Sequence, residues 1–328
     1  MSLPIEPPVK PQLARSRKEL PVGEGWAYEP KYDGFRTIAF VDGGDAYLQS
    51  RGGKPMTRYF PEVELPAGRY VIDGELVILD DDGAEVFDAL QNRIHPAESR
   101  VLMLSEQTPA FFRVFDVLAV YGDELMTRPF SERRRLLVEL ISGFDGAREE
   151  GPGGWRAGSV ELTPLTLEPE GAEPWLAGGE GVIAKELGAP YLPGERKGMV
   201  KIKRLRTIDC VVAGWRPGKE PNTVGALMLG LYDGDDLRVI GHSSGLKAAE
   251  KRELVDTLAP YETGERGSAD PSRWTAGRDL EWVSLRPELV IEVSFDHVSA
   301  GRIRHGAKIL RWREDKAPRD CTIDQLES

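Results

Sequence analysis

The sequence predicts an α+β protein of two domains: a larger one built on antiparallel sheets, followed by a small Greek-key β-barrel, whose strand pattern suits an OB-fold and other small barrels equally well. Three observations carry this. The 328 residues are enough for roughly two hydrophobic cores. From Trp26 to Arg204 short β-rich runs dominate, interrupted by one clear helix. After Arg206, about five strand-like runs and one helix crowd into roughly 120 residues.

Residues 70–79, 111–121, 181–187 and 199–203 are rich in β-branched and aromatic side chains and read as strands. A helix is expected from an N-cap at Ser131 to just before Gly143, with Leu136, Leu137, Leu140 and Ile141 on one face, and a second at 87–93. Beyond the boundary, placed at 204–207, strands are expected at 208–215, 227–232, 237–240, 281–284, 289–295 and 308–312, with a helix at 247–258. The acidic blocks 80–82 and 233–236 read as hairpin turns. The expected domains are 1–205 and 206–328. Low complexity is confined to the Pro-rich start and the Gly-rich 151–158 loop.

A net charge of −11 excludes a surface that is basic all over, so any contact with nucleic acid must be local. Two places offer it: Lys197, Lys201, Lys203, Arg204 and Arg206, and then Arg302, Arg304, Lys308, Arg311, Arg313 and Lys316. Taken alone, both are solvated charged faces. No run approaches the roughly 18 apolar residues of a spanning helix, and Met1–Arg17 has no secretory pattern. A cytoplasmic protein is expected, with Cys210 and Cys321 reduced, buried or idle.

The chemistry concentrates at Glu29-Pro30-Lys31-Tyr32-Asp33-Gly34-Phe35-Arg36, where a strand ends in a turn and presents a lysine beside a carboxylate and an arginine. A neutral lysine amine can attack phosphorus. Lys-x-Asp-Gly by itself is a turn with a salt bridge, expected by chance in about one chain in ten of this length. More follows in order: Ser50-Arg51, then Thr57 and Phe60-Pro61-Glu62, Asp73-Gly74-Glu75, Phe115-Asp116, Glu180-Gly181-Val182-Ile183-Ala184-Lys185, Lys201-Ile202-Lys203 and Arg313-Glu314-Asp315-Lys316.

In that ordered series the chain resembles the ATP-dependent polynucleotide ligases over nearly its whole length. Pro7-Pro8-Val9, Arg58-Tyr59-Phe60-Pro61-Glu62, the run from Gln91 to Arg100, Leu205-Arg206-Thr207 and Arg311-Trp312-Arg313 narrow the resemblance to the stand-alone bacterial DNA ligases of the C group, which implies an actinobacterial source. Gln12, where that group commonly has Met, and the short Gly/Pro-rich stretch 143–179 depart from the pattern.

The resemblance implies a nucleotidyltransferase (adenylation) domain followed by the OB-fold, and a role for each matching residue. Lys31 carries AMP, with Asp33 in the catalytic set. Glu29 meets the adenine amino edge, and Phe115 and Ile183 sandwich the base. Arg36 and Arg51 hold the ribose and later the DNA 5′ phosphate. Glu75 and Glu180 surround the ribose and a Mg²⁺ or Mn²⁺ ion. Lys201 and Lys203, two apart on a strand, share one face and contact the α-phosphate, joined by Lys185. Arg313, Asp315 and Lys316 act only if the small domain closes over the nucleotide, and Arg302 and Arg304 suit DNA phosphates.

The expected substrates are ATP and nicked duplex DNA, with DNA repair proteins as partners, no membrane and a monomeric, nucleoid-associated enzyme. With no separate DNA-binding domain expected before the catalytic one, the same reading implies modest, steeply salt-dependent affinity for DNA. The competing readings are a GTP-using capping guanylyltransferase, an RNA ligase, or a nick-binding module without catalysis.

Overall fold

The computed structural model describes residues 3–150, 154–203, 206–267, 282–295, 298–299, 301–303 and 306–326. Arg204 and Leu205 at the expected boundary, Glu281, Arg304 and residues 151–153 of the Gly-rich loop lie outside them. The chain divides into two compact units, Met1–Arg204 and Leu205–Ser328.

Two sheets build the first unit. One has four strands in the order Arg15–Arg17, Met199–Lys203, Gly181–Glu186, Trp26–Pro30. Tyr28, Val182, Ala184 and Ile202 bury one of its faces in a core with Ala172. Because side chains alternate across a strand, Glu29, Ile183 and Lys201 must then point the other way.

The larger sheet runs Asp45–Ser50, Phe35–Gly43, Gly68–Ile78, Ala110–Val120, Val160–Leu162, Trp155–Ala157, Arg148–Glu149, with Asp123–Glu124 paired to Ala110–Val120. Its long central strands read as near-continuous apolar runs because both faces are covered. Leu76, Ile78, Phe112 and Val114 pack in one core with Leu137 and Ile141 of the helix Phe130–Ser142, while Val71 and Leu118 pack in another with Ile5 and Tyr191.

That helix begins one residue before the expected Ser131 cap. Pro129 is the N-cap and offers no side-chain bond. The first N–H groups are met by the turn after the strand Gly181–Glu186 instead: Phe130 donates to the Ala189 carbonyl and Ser131 to that of Leu187, each at 2.9 Å. Helix Phe87–Arg93 forms as expected, and a helix at Glu98–Gln107 was not expected. It buries only Val101 and Ser105, so no apolar stripe announces it.

The second unit is a curled antiparallel sheet in the order Asp236–Ser243, Val224–Asp233, Arg206–Pro217, Trp282–Leu285, Glu262–Gly267. Strand Val290–Phe295 joins it between Arg206–Pro217 and Lys308–Trp312. The curl comes from Arg206–Pro217, whose first half pairs with Val290–Phe295 and whose second half, past a bulge between Val212 and Gly214, pairs with Trp282–Leu285. Gly214 is needed there because a Cβ would run into the Trp282 indole. The strand Glu262–Gly267 has no apolar alternation and escaped the sequence reading. Cys210 and Cys321 are both free and buried in this unit's core. Among the described residues no helix is long and apolar enough to cross a membrane.

Candidate active site

One pocket of the first unit gathers Glu29, Lys31, Arg36, Arg51, Glu75, Phe115, Ile183, Lys185 and Lys201, with Gln12, Tyr32 and Arg196 beside them. Its floor is the open face of the four-stranded sheet. Register aligns Glu29, Ile183 and Lys201 in one row across three strands, and Lys203 opposite Gly181 in the next. Lys31 continues that second row by donating its N–H to the Gly181 carbonyl at 2.9 Å. Gly181 has φ +123°, and a Cβ on it would collide with the Ile202 carbonyl and come within 2.9 Å of Lys203 Cα. A bare backbone therefore separates Lys31 from Lys203.

The other wall comes from the larger sheet. Arg36 stands directly opposite Glu75. Pairing slips between Asp73–Asp116 and Gly74–Val114, leaving Phe115 as the extra residue of a bulge, a device that re-aims a side chain. The Arg36 guanidinium lies 4.4 Å from the Phe115 ring centroid. It is held bidentate by fully buried Asp73 at 2.7 and 2.6 Å, and Asp73 in turn accepts a 2.6 Å bond from the Tyr191 hydroxyl. Tyr191 accepts the Gln12 N–H at 3.0 Å, and the Gln12 side chain donates to the Lys197 carbonyl, so the residue that departs from the family pattern is tied into this network.

Two of the pocket's lysines, Lys185 and Lys31, are held very differently. Lys185 is 6% exposed, lies 2.7 Å from Glu29 Oε2 and donates to the Phe115 carbonyl at 3.1 Å. Burial pushes its amine below the ordinary value. It faces Glu29 and Phe115 as a fixed cation. The Lys31 amine lies 4.0 Å from Glu180 and has one long bond, 3.4 Å, to the Tyr32 carbonyl. Weak anchoring of that kind leaves an amine able to turn toward an electrophile.

Charge is divided across the pocket. Burial, and then Lys203, Lys31, Arg196 and Arg51, push the Lys201 amine down, which marks one side as an anion site. On the other side, burial pushes Glu75 up to about 8, with Asp73 and Glu85 adding to the effect against Arg36 and Lys31. Glu85 is also raised, by burial first and by Glu180 among its neighbours. Its carboxylate accepts the Asp33 N–H at 2.6 Å and pairs with Arg113 at 3.1 Å, fixing the turn that follows Lys31.

Asp73, Glu85, Tyr191 and Arg196 thus serve the pocket without having been singled out from the sequence. Asp73 and Asp116 were visible as motif letters. Asp116 holds buried Arg133 in a bidentate pair at 2.8 and 2.9 Å, anchoring the helix Phe130–Ser142 to the sheet.

Arg313, Asp315 and Lys316 belong to the second unit. There Arg313 bridges Asp209 at 2.8 Å and Asp315 at 2.9 Å, and its guanidinium holds the Asp315 carboxyl down at about 2. Arg302 lies on the short strand Arg302–Ile303 and is exposed.

Comparison with known proteins identifies the family of the chain. The sequence model of the family described as "ATP dependent DNA ligase domain" matches residues 11–203, and that of "ATP dependent DNA ligase C terminal region" matches 220–316. DNA ligase C of Mycobacterium tuberculosis is 45% identical, covering 100% of this chain and 96% of that protein. DNA ligase C1 of Mycolicibacterium smegmatis is 42% identical over the same shares. The solved structure "mycobacterial DNA ligase D complexed with ATP and MES" is 28% identical, covers 96% of this chain and 98% of its own, and superposes with a TM-score of 0.52.

Proposed function

The chain belongs to the ATP-dependent DNA ligase family, enzymes of the nucleotidyltransferase superfamily, and from that premise we propose that Lys31 is the covalent carrier of AMP in sealing nicked duplex DNA. The observation that supports it most is the loosely held Lys31 amine beside the cationic face of Lys201 and Lys203.

Three in-line transfers follow. The Lys31 amine, having lost a proton to solvent, forms a bond to the α-phosphorus of ATP as the bond to the bridging oxygen breaks and pyrophosphate leaves. A 5′-phosphate oxygen at the nick then displaces Lys31 from AMP. The 3′ hydroxyl finally attacks the 5′ phosphorus, releasing AMP and the proton. Each step needs positioning and charge neutralisation more than a strong acid or base. Lys201 and Lys203 neutralise the α-phosphate, Phe115 and Ile183 flank the adenine, Glu29 faces its amino edge, and Arg36 and Arg51 hold the ribose or the 5′ phosphate. Units Met1–Arg204 and Leu205–Ser328 act as adenylation and OB domains, and the roles of Arg313, Asp315 and Lys316 at the leaving pyrophosphate belong to the same proposal, as do a monomeric state, a cytoplasmic location and work alongside repair proteins.

The donors fit a divalent cation. Glu75 and Glu85 repel one another, Glu180 adds to the repulsion, and all three offer hard oxygens. Among the described residues no three His, Cys, Asp or Glu side chains converge as a cage. That suits Mg²⁺, which is commonly held by one or two carboxylates and completed by water and substrate phosphates. Glu180 and Glu75 would hold the ion, whose contribution is to neutralise phosphate charge.

Protein incubated with α-labelled ATP should take up label, and α-labelled GTP should give none. Labelling by GTP alone would overturn the reading in favour of a capping-type enzyme.

Glu75 adds a pH dependence. Its native proton is held up to about pH 8, whereas the unfolded chain loses it in the ordinary carboxylate range. Between those limits the native state binds the extra proton, so this group's contribution to stability falls as pH rises through the window. An ion at Glu75 must displace that proton. The Mg²⁺ concentration giving half-maximal labelling should therefore fall about tenfold per pH unit below about 8 and level off above it. A flat dependence from pH 6 to 8 would remove Glu75 from the ion's ligands.

A further inference from the structure

Glu29 sits in the pocket 2% exposed, and two buried cations from distant parts of the chain face it. Lys185, four residues into the strand Gly181–Glu186, lies 2.7 Å from Oε2. Arg134, from the helix Phe130–Ser142, lies 3.3 Å from Oε1, and its other terminal nitrogen donates to the Thr163 carbonyl. Lys185 is braced in turn by the Phe115 carbonyl and by the rings of Phe115 and Phe130 at 4.7 and 4.5 Å. Arg134 does not line the pocket; it reaches it through Glu29 and, by way of Thr163, through Tyr32.

We propose that Arg134 is the positioning residue for purine selection, working with Lys185 to hold Glu29 as an acceptor-only group against the six-position of the base. This rests on the proposed adenine pocket. Lysine and arginine can only donate, so each takes lone pairs from one carboxylate oxygen and fixes the plane of the group. The lone pairs left over face the pocket. A purine with a 6-amino group donates to them, whereas a 6-oxo purine brings its own lone pairs against a carboxylate that cannot rotate away. Buried polar groups left unpaired or opposed are what make such discrimination large.

The same geometry makes a sharper demand on Glu29→Gln. Lys185 holds Oε2 and Arg134 holds Oε1, so an amide, with one acceptor oxygen, can satisfy only one of them and sets its NH₂ against the other. The fixed acceptor for the 6-amino group is lost, and the preference for ATP should fall toward parity.

The test is calorimetric binding of ATP and inosine triphosphate to the full chain carrying Lys31→Ala, so that no covalent step takes part. Failure of the carrier role of Lys31 and failure of base selection are thereby read in separate experiments. In the Lys31→Ala background ATP should be preferred. Arg134→Met should lower the ATP to inosine triphosphate affinity ratio by about tenfold or more, almost wholly through weaker ATP binding. Arg134→Lys, which keeps the charge, should hold most of the ratio. Glu29→Gln, close to isosteric, should bring the ratio down to about one and serves if Arg134→Met fails to fold. An unchanged ratio in folded Arg134→Met, or in Glu29→Gln, would overturn the proposal.

Discussion

Lys31→Ala should abolish both labelling by ATP and sealing of a nick, a fall of at least about a thousandfold in rate, because the covalent route disappears with its nucleophile. Lys31→Arg should be equally inactive: a guanidinium keeps its proton at any working pH and cannot attack phosphorus. The loss should not come from misfolding, since the Lys31 side chain makes one 3.4 Å hydrogen bond and one 4.0 Å ion pair. Thermal unfolding of Lys31→Ala within a degree or two of the parent, with no label taken up, is the expected pair of results. A variant that still seals nicks with ATP would place the nucleophile elsewhere, and Lys185 would be a poor substitute because its amine is locked on Glu29 and the Phe115 carbonyl.

Gly181→Ala should be the most damaging small substitution outside the reacting groups. At φ +123° an alanine is strained by about 1–3 kcal/mol, and a Cβ pressed into the Ile202 carbonyl adds overpacking of similar size. A total near 3 kcal/mol lowers the melting temperature by roughly 6–12 °C in a unit the size of Met1–Arg204. Relief parts the strand carrying Ile183 from the one carrying Lys203, beside the Lys31 turn, so labelling by ATP should fall even where the protein stays folded. Gly188→Ala is the control. It has open space around it, and its unfolding free energy should move by less than about 0.5 kcal/mol. Equal behaviour of the two variants in differential scanning calorimetry would show that the close strand approach at Gly181 is not required.

What the sequence made legible was the floor of the pocket. Glu29 and Lys31, Ile183 and Lys185, and Lys201 and Lys203 each lie two apart, and period-two alternation alone puts each pair on one face. Order along the chain then joined the pairs into one site. The walls were less visible because their contacts are set by tertiary pairing. Arg36 finds Asp73 across 37 residues, Tyr191 finds Asp73 across 118, and Arg134 finds Glu29 across 105. No local periodicity encodes such distances. Phe115 was recognised by its motif, but its placement by a bulge depends on register, which turns and partner strands decide. The Ser131 cap was misplaced for a related reason: carbonyls at Leu187 and Ala189, in the turn after the strand Gly181–Glu186, take the bonds that a side chain would otherwise supply.

The central claim is that AMP rests covalently on Lys31, and intact-mass measurement with peptide mapping addresses it most directly. After incubation with ATP and Mg²⁺ the protein should gain the mass of one AMP, mapped to the peptide bearing Lys31, and pyrophosphate should remove it. A gain that maps to another lysine, that persists in Lys31→Ala, or that pyrophosphate cannot reverse would contradict the account.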